Sequence, residues 1–142
     1  SQRERKRGYE QALRESGAEI DEKLYFYIAD YYFEEGQALF PRMRELMSGV
    51  DAVFFAAGDL VAMGFMLEAR HVGVSIPKDL SVIGYDDIPS AGLVMPALTT
   101  VRQPLFQIGK AAYAEAIRAL ESGETEPRAI VYEPRLVLRE SV

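Results

Sequence analysis

The stretch Ser81-Val82-Ile83-Gly84-Tyr85-Asp86-Asp87 is an apolar, β-branched run that ends in two adjacent carboxylates. Such a run predicts a buried strand whose C-terminal end carries the two acids. A second short strand is predicted within Leu98–Pro104, and it stops at the polar Gln103. In open α/β sheets, ligands bind at the carboxyl ends of the strands. We therefore expect a small polar ligand at these strand ends rather than a catalytic centre.

Strand–helix units repeat along the chain, because Leu24, Val53 and Val82 are each 29 residues apart. Right-handed crossovers join such units into a parallel sheet with helices on both faces, so the predicted fold class is α/β. The remaining predicted elements are helices over 2–16, 34–47, 59–71 and 105–121, and strands over 24–28, 50–57 and 129–138. Pro134 favours an edge position for the last strand.

The third helix is unusual because it is apolar almost all the way round over Leu60–Leu67. Asp59 is its predicted N-cap. A helix without a polar face near its start is expected to be buried on two sides. We therefore expect one side to pack on the sheet of this chain and the other on a partner subunit.

The composition narrows the class of protein. The chain has 142 residues, of which 49% are hydrophobic, enough for one domain with a substantial core. Sixteen basic residues against 22 acidic ones give a net charge of −6, so we do not expect this part to grip DNA by itself. The absence of cysteine excludes disulfides and thiolate chemistry and suits a reducing cytoplasm. No apolar run approaches the ~20 residues of a membrane-spanning helix.

On the residues alone, three interpretations of Asp86 and Asp87 stay open. The pair can bind a metal or act as general acid and base, it can hydrogen-bond a ligand, or it can cap the turn before Ile88-Pro89. Arg5 lies in a basic cluster at a helix start, which is either a solvated face or the donor to an anion, hydroxyl or carboxylate. Of the three adjacent rings that begin at Tyr31, at least one is expected to face a cleft.

Several further motifs follow one another in a specific order and spacing. They are Arg5-x-x-Gly8-Tyr9, Asp30-Tyr31-x-x-Glu34-x-Gly36, Asp59-x-x-Ala62-x-Gly64, Ile76-Pro77-x-Asp79-Leu80 leading into Ser81–Asp87, and Leu98–Pro104 with Ile108-Gly109. Together they resemble the lactose-repressor/galactose-repressor (LacI/GalR) family of bacterial transcriptional regulators.

This resemblance implies a fold of the periplasmic-binding-protein-like (type I) class, with two α/β lobes around a cleft. It implies that residues 1–104 and 129–142 are part of the C-terminal lobe, and that 105–128 are a helix and connector of the N-terminal lobe. A helix-turn-helix headpiece would precede residue 1 and is absent from this chain. One stripe of the predicted helix 105–121 would face the other lobe, and in this chain we expect it to expose apolar surface. Its members are Leu105, Ile108, Ala112, Ala116 and Leu120.

The resemblance also implies roles for individual residues. Arg5 matches an arginine that donates to effector hydroxyls or a carboxylate, and Tyr31 matches an aromatic residue that stacks on the ligand. Asp86 matches the carboxylate that accepts from hydroxyls, Gln103 lies at the crossover near the pocket, and Asp87 becomes a structural cap. The implied dimer interface contains Leu60, Met63, Gly64, Leu67, Ile88 and Leu93. Gly58 is a departure, because relatives commonly carry an asparagine there whose amide holds ligand hydroxyls.

The function that follows is non-enzymatic. We expect an effector-binding and dimerisation segment of a cytoplasmic transcriptional repressor, with a sugar or related metabolite as effector and no cofactor. Operator DNA would be bound only through the headpiece. The alternatives are a solute-binding protein of a sugar transporter and, third, an enzyme on a phosphohydrolase-like scaffold.

Overall fold

The computed structural model of the chain describes residues 2–123, 126 and 128–142. Its α-helices are α1 (Gln2–Glu15), α2 (Phe33–Met43), α3 (Asp59–His71) and α4 (Leu105–Ser122). Its strands are β1 (Ala52–Phe54), β2 (Ser81–Asp86), β3 (Thr99–Arg102) and β4 (Arg135–Val137), and short 3₁₀ turns span Glu22–Leu24, Arg44–Gly49 and Pro89–Gly92. Three positions in the expected connector to the C-terminal strand, Glu124, Thr125 and Pro127, lie outside the described residues.

The strands form one sheet in the order β1-β2-β3-β4. β1, β2 and β3 are parallel, and Val53 pairs with Val82, as the 29-residue spacing predicts. The sheet is mixed rather than wholly parallel, because β4 pairs antiparallel with β3. Arg135 at the start of β4 lies opposite Arg102 at the end of β3, so the chain re-enters the sheet at the end where it left. β4 occupies the edge as predicted, but the predicted strand at 129–138 is shortened to Arg135–Val137 and begins after Pro134.

Helices cover both faces of the sheet. On one face, Phe65 of α3 is fully buried, and its ring centroid lies 5.1 Å from that of Phe40 and 5.0 Å from that of Phe55. On the other face, Tyr9 of α1 packs on Phe54. Successive side chains of an extended segment point to opposite faces, so Phe54 and Phe55 lie on different faces of the sheet. The buried core therefore lies mainly between the sheet and the α2–α3 pair.

Close contact between α2 and α3 depends on two glycines. A Cβ atom added to Gly36 would lie 1.9 Å from the carbonyl oxygen of Val61, and one added to Gly64 would lie 1.9 Å from that of Phe33. Gly64 is therefore in close contact with α2 of this chain. Met63 is only 6% exposed and belongs to the same core. Both of these expected interface residues are thus buried within the chain itself.

The predicted strand at 24–28 is wrong. Tyr25–Ile28 is not in the sheet; it stands off β1 across a cavity of about 470 Å³ that α1 also lines. A strand exists through hydrogen bonds to a neighbouring strand, and the spacing between this segment and β1 provides none. The predicted strand at 50–57 is shortened to Ala52–Phe54.

The helix bounds agree with the sequence except in α2. Its α-helical part ends at Met43 and continues as the 3₁₀ turn Arg44–Gly49 instead of running to Met47. Pro41 lies inside the last turn, where it removes a backbone donor and weakens the helix. Within the described residues, no helix is long and apolar enough to cross a membrane.

α4 has no buried residue, in agreement with the expected apolar surface. All five members of the predicted stripe are exposed, including Leu105 at 61% and Leu120 at 81%. Phe106, beside them, is 80% exposed. α4 therefore presents apolar side chains that the described part of the chain does not cover.

Candidate functional site

Three predicted site residues meet at the carboxyl end of the sheet. Asp86 ends β2, and Gln103 follows β3; the Gln103 Nε2–H donates to Asp86 Oδ1 at 2.6 Å. The Arg5 guanidinium of α1 lies 3.9 Å from the same oxygen. An amide, a carboxylate and a cation from three different elements are thus brought to one point.

The side chain of Arg5 is held in place from two directions. Its Nη1 donates to the carbonyl oxygen of Ala56, just after β1, at 2.5 Å. The guanidinium carbon lies 3.6 Å from the centroid of the Tyr85 ring, a cation–π contact. Because a guanidinium has five N–H donors in a fixed fork, the remaining donors can bind a further acceptor next to Asp86.

Gly58 is required by the backbone beside Asp86. Its φ of +126° lies in a region that side-chain-bearing residues rarely adopt. A Cβ atom built on Gly58 would lie 3.1 Å from Asp86 Oδ2. A side chain added at position 58 would therefore start beside the Asp86 carboxylate.

Tyr31 joins this region through α1. Its hydroxyl accepts a hydrogen bond from Gln2 Nε2, and Gln2 lies one helical turn before Arg5. Tyr31 is 52% exposed and the adjacent Tyr32 is 64% exposed, so these rings are not core residues, as the sequence predicts. The Tyr31 ring is therefore accessible, and its hydroxyl contacts the helix that carries Arg5.

Asp87 has a different role from Asp86. The prediction that it caps the turn is corrected, because its two oxygens accept hydrogen bonds from Arg102 and from Arg139, the latter at 2.6 Å. Burial alone would raise the pKa of the Asp87 carboxyl, but the hydrogen bonds from Arg139 and Arg102 outweigh it and lower this pKa. Asp87 is therefore an ionised structural group, and Asp86 is the acid that faces Gln103 and Arg5.

A buried network next to Asp86 was not predicted. Asp59 is 1% exposed; its Oδ1 accepts from the Thr100 hydroxyl at 2.6 Å and its Oδ2 from the Ile88 backbone N–H at 2.9 Å. The sequence predicts Asp59 as the N-cap of α3, but the N-cap is Gly58 and no side chain caps this end. Burial raises the pKa of the Asp59 carboxyl, while the bonds from Thr100 and Ile88 oppose the rise.

No local sequence pattern could have revealed these partners. Thr100 lies 41 residues after Asp59, and Arg139 lies 52 residues after Asp87. The one available signal is that Asp59 interrupts an apolar segment. Such a carboxylate needs buried donors, but the sequence does not say which.

The structure leaves four of the six expected dimer residues accessible. Leu93 is 82% exposed and Leu60 is 42% exposed, while Leu67 and Ile88 are partly buried.

Among the described residues, no cluster of three or more His, Asp or Glu side chains could hold a metal ion. At the carboxyl end of the sheet, Arg5 and Gln103 offer hydrogen-bond donors and Asp86 offers an acceptor.

Comparison with known proteins agrees with this geometry. The profile of the periplasmic binding protein-like domain matches residues 1–142. Over 138 residues the chain is 36% identical to the HTH-type transcriptional regulator CelR of Thermobifida fusca and 34% identical to the HTH-type transcriptional repressor PurR of Yersinia pestis (strain Pestoides F). Each match covers 97% of this chain but only 40% of the relative, so the chain spans less than half the length of these curated relatives.

A solved structure supports the same assignment. The chain superimposes on the complex of the transcriptional regulator CelR with cellobiose with a TM-score of 0.88 and 32% identity, over 98% of this chain and 42% of that one. The expected fold class is confirmed, and the match to regulators favours the regulator over the transporter alternative. The chain belongs to the periplasmic-binding-protein-like domain family, in the form that transcriptional regulators of the lactose-repressor/galactose-repressor type carry.

Proposed function

We propose that this chain is the effector-binding and dimerisation part of a DNA-binding transcriptional repressor, and that Arg5, Asp86 and Gln103 bind the effector. The single observation that carries the proposal is their convergence, with Gln103 Nε2 at 2.6 Å and the Arg5 guanidinium at 3.9 Å from one Asp86 oxygen. A hydroxyl beside this oxygen can donate to Asp86 while accepting from Arg5. Such paired donors and acceptors are typical of sites that recognise polyols.

We propose a sugar or a related polar metabolite as the effector. A similar protein, the regulator CelR, has been solved as a complex with cellobiose. Tyr31, whose hydroxyl contacts Gln2 on the helix that carries Arg5, supplies an accessible ring on which the apolar face of a sugar would stack. Gly58 contributes no side chain, so in this proposal the carboxylate of Asp86 and the donors of Arg5 and Gln103 provide the polar recognition.

The site binds without performing chemistry in this proposal. Arg5 is a permanently charged donor, Gln103 does not titrate, and the second acid, Asp87, is committed to Arg102 and Arg139. General acid–base catalysis needs groups that exchange protons near neutral pH, and these residues do not form such a pair. The similar proteins named above are transcriptional regulators, which agrees with a binding role.

The domain arrangement is also a proposal. Residues 1–104 and 129–142 form part of the C-terminal lobe, and 105–128 belong to the N-terminal lobe, against which the exposed stripe of α4 would pack. β4 supports the return of the chain to the first lobe, because it pairs with β3. A homodimer would form through Leu60, Leu67, Ile88 and Leu93.

Operator DNA would be bound by a helix-turn-helix headpiece and not by this chain, whose net charge is −6. Effector binding would favour one arrangement of the lobes, and this difference in affinity would change the affinity of the headpiece for DNA. A regulator that works in this way acts in the cytoplasm, where the DNA is.

Calorimetric titration of the intact protein with cellobiose and a panel of other mono- and disaccharides tests the proposal. For the sugar that binds, Asp86→Ala and Arg5→Ala are each expected to weaken binding at least about tenfold, because a hydrogen bond to a charged group is worth roughly 1.5–3 kcal/mol. The matched controls are Asp79→Asn and Arg7→Ala, which change exposed charges elsewhere. Unchanged affinity in Asp86→Ala, or consumption of the sugar, would contradict the proposal.

A further inference from the structure

The backbone that carries Asp86 is in an unfavourable conformation. Asp86 has φ of +107° and Asp87 has φ of +54°, both in the region that residues with a Cβ atom rarely adopt. Such conformations persist only where surrounding contacts impose them. The direction in which Asp86 points toward Gln103 and Arg5 depends on this turn.

Two hydrogen-bond paths that constrain the backbone after Asp86 converge on the side chain of Asp59. The Asp59 carboxylate accepts directly from the Ile88 N–H at 2.9 Å. Its other oxygen accepts from the Thr100 hydroxyl at 2.6 Å, and the Thr100 oxygen in turn accepts from the Asp87 N–H at 3.3 Å. Asp59 thus holds, directly or through Thr100, the two backbone amides that follow Asp86.

The residues around Asp59 hold its carboxylate in this position. It is 1% exposed, and a Cβ atom added to Gly84 would lie 2.1 Å from its Oδ1, so β2 leaves room for the carboxylate at this glycine. Asp59 is also the first residue of α3, a helix in which eight of thirteen residues are buried. The turn after Asp86 is therefore tied to one of the best-packed elements of the chain.

We propose that Asp59 is a positioning residue for the effector site: through Ile88 and Thr100 it fixes the turn that aims the Asp86 carboxylate. Asp59 itself does not touch the effector. This inference rests on the proposed function for its biological meaning, but its structural content can be tested without any ligand.

The experiment is residue-resolved amide hydrogen exchange by NMR on the intact protein, with the side-chain amide signals of Gln103 as a second readout. In Asp59→Ala, exchange at Ile88 is expected to accelerate at least about tenfold, since its hydrogen bond to the Asp59 carboxylate is lost. Exchange at Asp87 should accelerate as well, because Thr100 loses the acceptor that orients its hydroxyl. The two Gln103 amide proton signals should change because Asp86 no longer holds its orientation. Asp59→Asn, which keeps an acceptor oxygen, should restore slow exchange at Ile88 at least in part.

Thr100→Val keeps the shape of the side chain and keeps the test decisive if Asp59→Ala does not fold. It should accelerate exchange at Asp87 but leave Ile88 protected, while the control Asp79→Asn should change neither. Unchanged Asp87, Ile88 and Gln103 signals in folded Asp59→Ala would overturn the proposal. Uniform acceleration that includes Val82 and Phe65 would overturn it as well, because Asp59 would then only stabilise the core. Failure of sugar binding would leave these readouts unaffected, so the two hypotheses fail separately.

Discussion

Two parts of the sheet differ in how completely they are packed: the part formed by β2 and β3 (the β2–β3 side) and the edge formed by β1 (the β1 side). On the β2–β3 side, even the polar groups are buried and paired: Ser141 is fully buried, donates to the Val82 carbonyl at 2.6 Å and accepts from the Thr99 N–H at 2.8 Å. Among the described residues, no buried side-chain nitrogen or oxygen lacks a partner. On the β1 side, a cavity of about 470 Å³ separates β1 from Tyr25–Ile28.

The difference shows how the candidate site is supported. Asp86 and Gln103 follow strands of the well-packed side, whereas Arg5 belongs to α1, which borders the cavity. α1 has no buried residue and contacts the sheet through single side chains such as Tyr9 and Arg5. The acceptor of the site thus follows a strand of the well-packed side, and its cation is carried by a helix without a buried residue.

Truncating apolar side chains should give the largest contrast between the two sides. Leu98→Ala removes a fully buried side chain just before β3 and is expected to cost about 2–5 kcal/mol of unfolding free energy. Leu46→Ala, at a 40% exposed residue lining the cavity, should cost less than about 1 kcal/mol. Urea unfolding measures both values, and equal losses would refute the difference in packing.

The ion pairs of Asp87 should give the next largest effect. Asp87→Asn is expected to cost about 1–3 kcal/mol at pH 7, because Arg139 and Arg102 lose a charged acceptor. The pKa of Asp87 is lowered in the folded protein, so its contribution is complete above the unfolded pKa of about 4 and disappears as pH falls through the folded pKa.

Urea unfolding from pH 7 to pH 2 checks this sign. The difference in stability between wild type and Asp87→Asn should shrink below about pH 4. The control is Asp79→Asn, in which the replaced side chain keeps an oxygen that can accept from the Ser75 N–H. A difference that stays constant across this range would show that the ionised form of Asp87 is not what stabilises the fold.

Gly58 and Gly73 form a matched pair that isolates the crowding at Asp86. Both have positive φ, +126° and +82°, but only an added Cβ at Gly58 meets another group, Asp86 Oδ2 at 3.1 Å. Gly73→Ala should cost about 1 kcal/mol from backbone strain, and Gly58→Ala should cost more, up to about 3 kcal/mol. If thermal unfolding gives the two variants the same loss, Asp86 does not constrain this position.

The smallest effect is expected at Tyr27 on the β1 side. Its hydroxyl accepts from Lys6 Nζ at 3.2 Å in a contact exposed to solvent. Tyr27→Phe should leave the urea midpoint unchanged within error, whereas Thr100→Val, which deletes a buried hydroxyl on the other side, should lower it clearly. A comparable shift for both variants would mean that the β1 side is as tightly coupled as the β2–β3 side.

Much of the fold follows from sequence periodicity. The 29-residue spacing predicts the pairing of Val53 with Val82, and the apolar runs predict the helices and β2. The antiparallel direction of β4 is not visible in the sequence, since it depends on where α4 returns the chain. The failure at 24–28 has a related cause, because a strand pattern cannot show whether a neighbouring strand is within hydrogen-bonding distance.

For the candidate site, the sequence indicates Arg5, Asp86 and Gln103, and the structure brings them together. The network of Asp59 with Thr100 could not be predicted, because it joins residues with no common period. Apolarity alone cannot distinguish the core of this chain from a surface that contacts a partner, and the predicted interface residues Met63 and Gly64 are buried within this chain.

A double-mutant cycle of Arg5 and Asp86 on effector affinity tests the central claim most directly. Affinities of wild type, Arg5→Ala, Asp86→Ala and the double variant would be measured by calorimetry on the intact protein with the sugar that binds. If both side chains hold one ligand group, the losses should be non-additive by more than about 1 kcal/mol. Additive losses, or no loss in either single variant, would contradict a shared binding site at the end of β2.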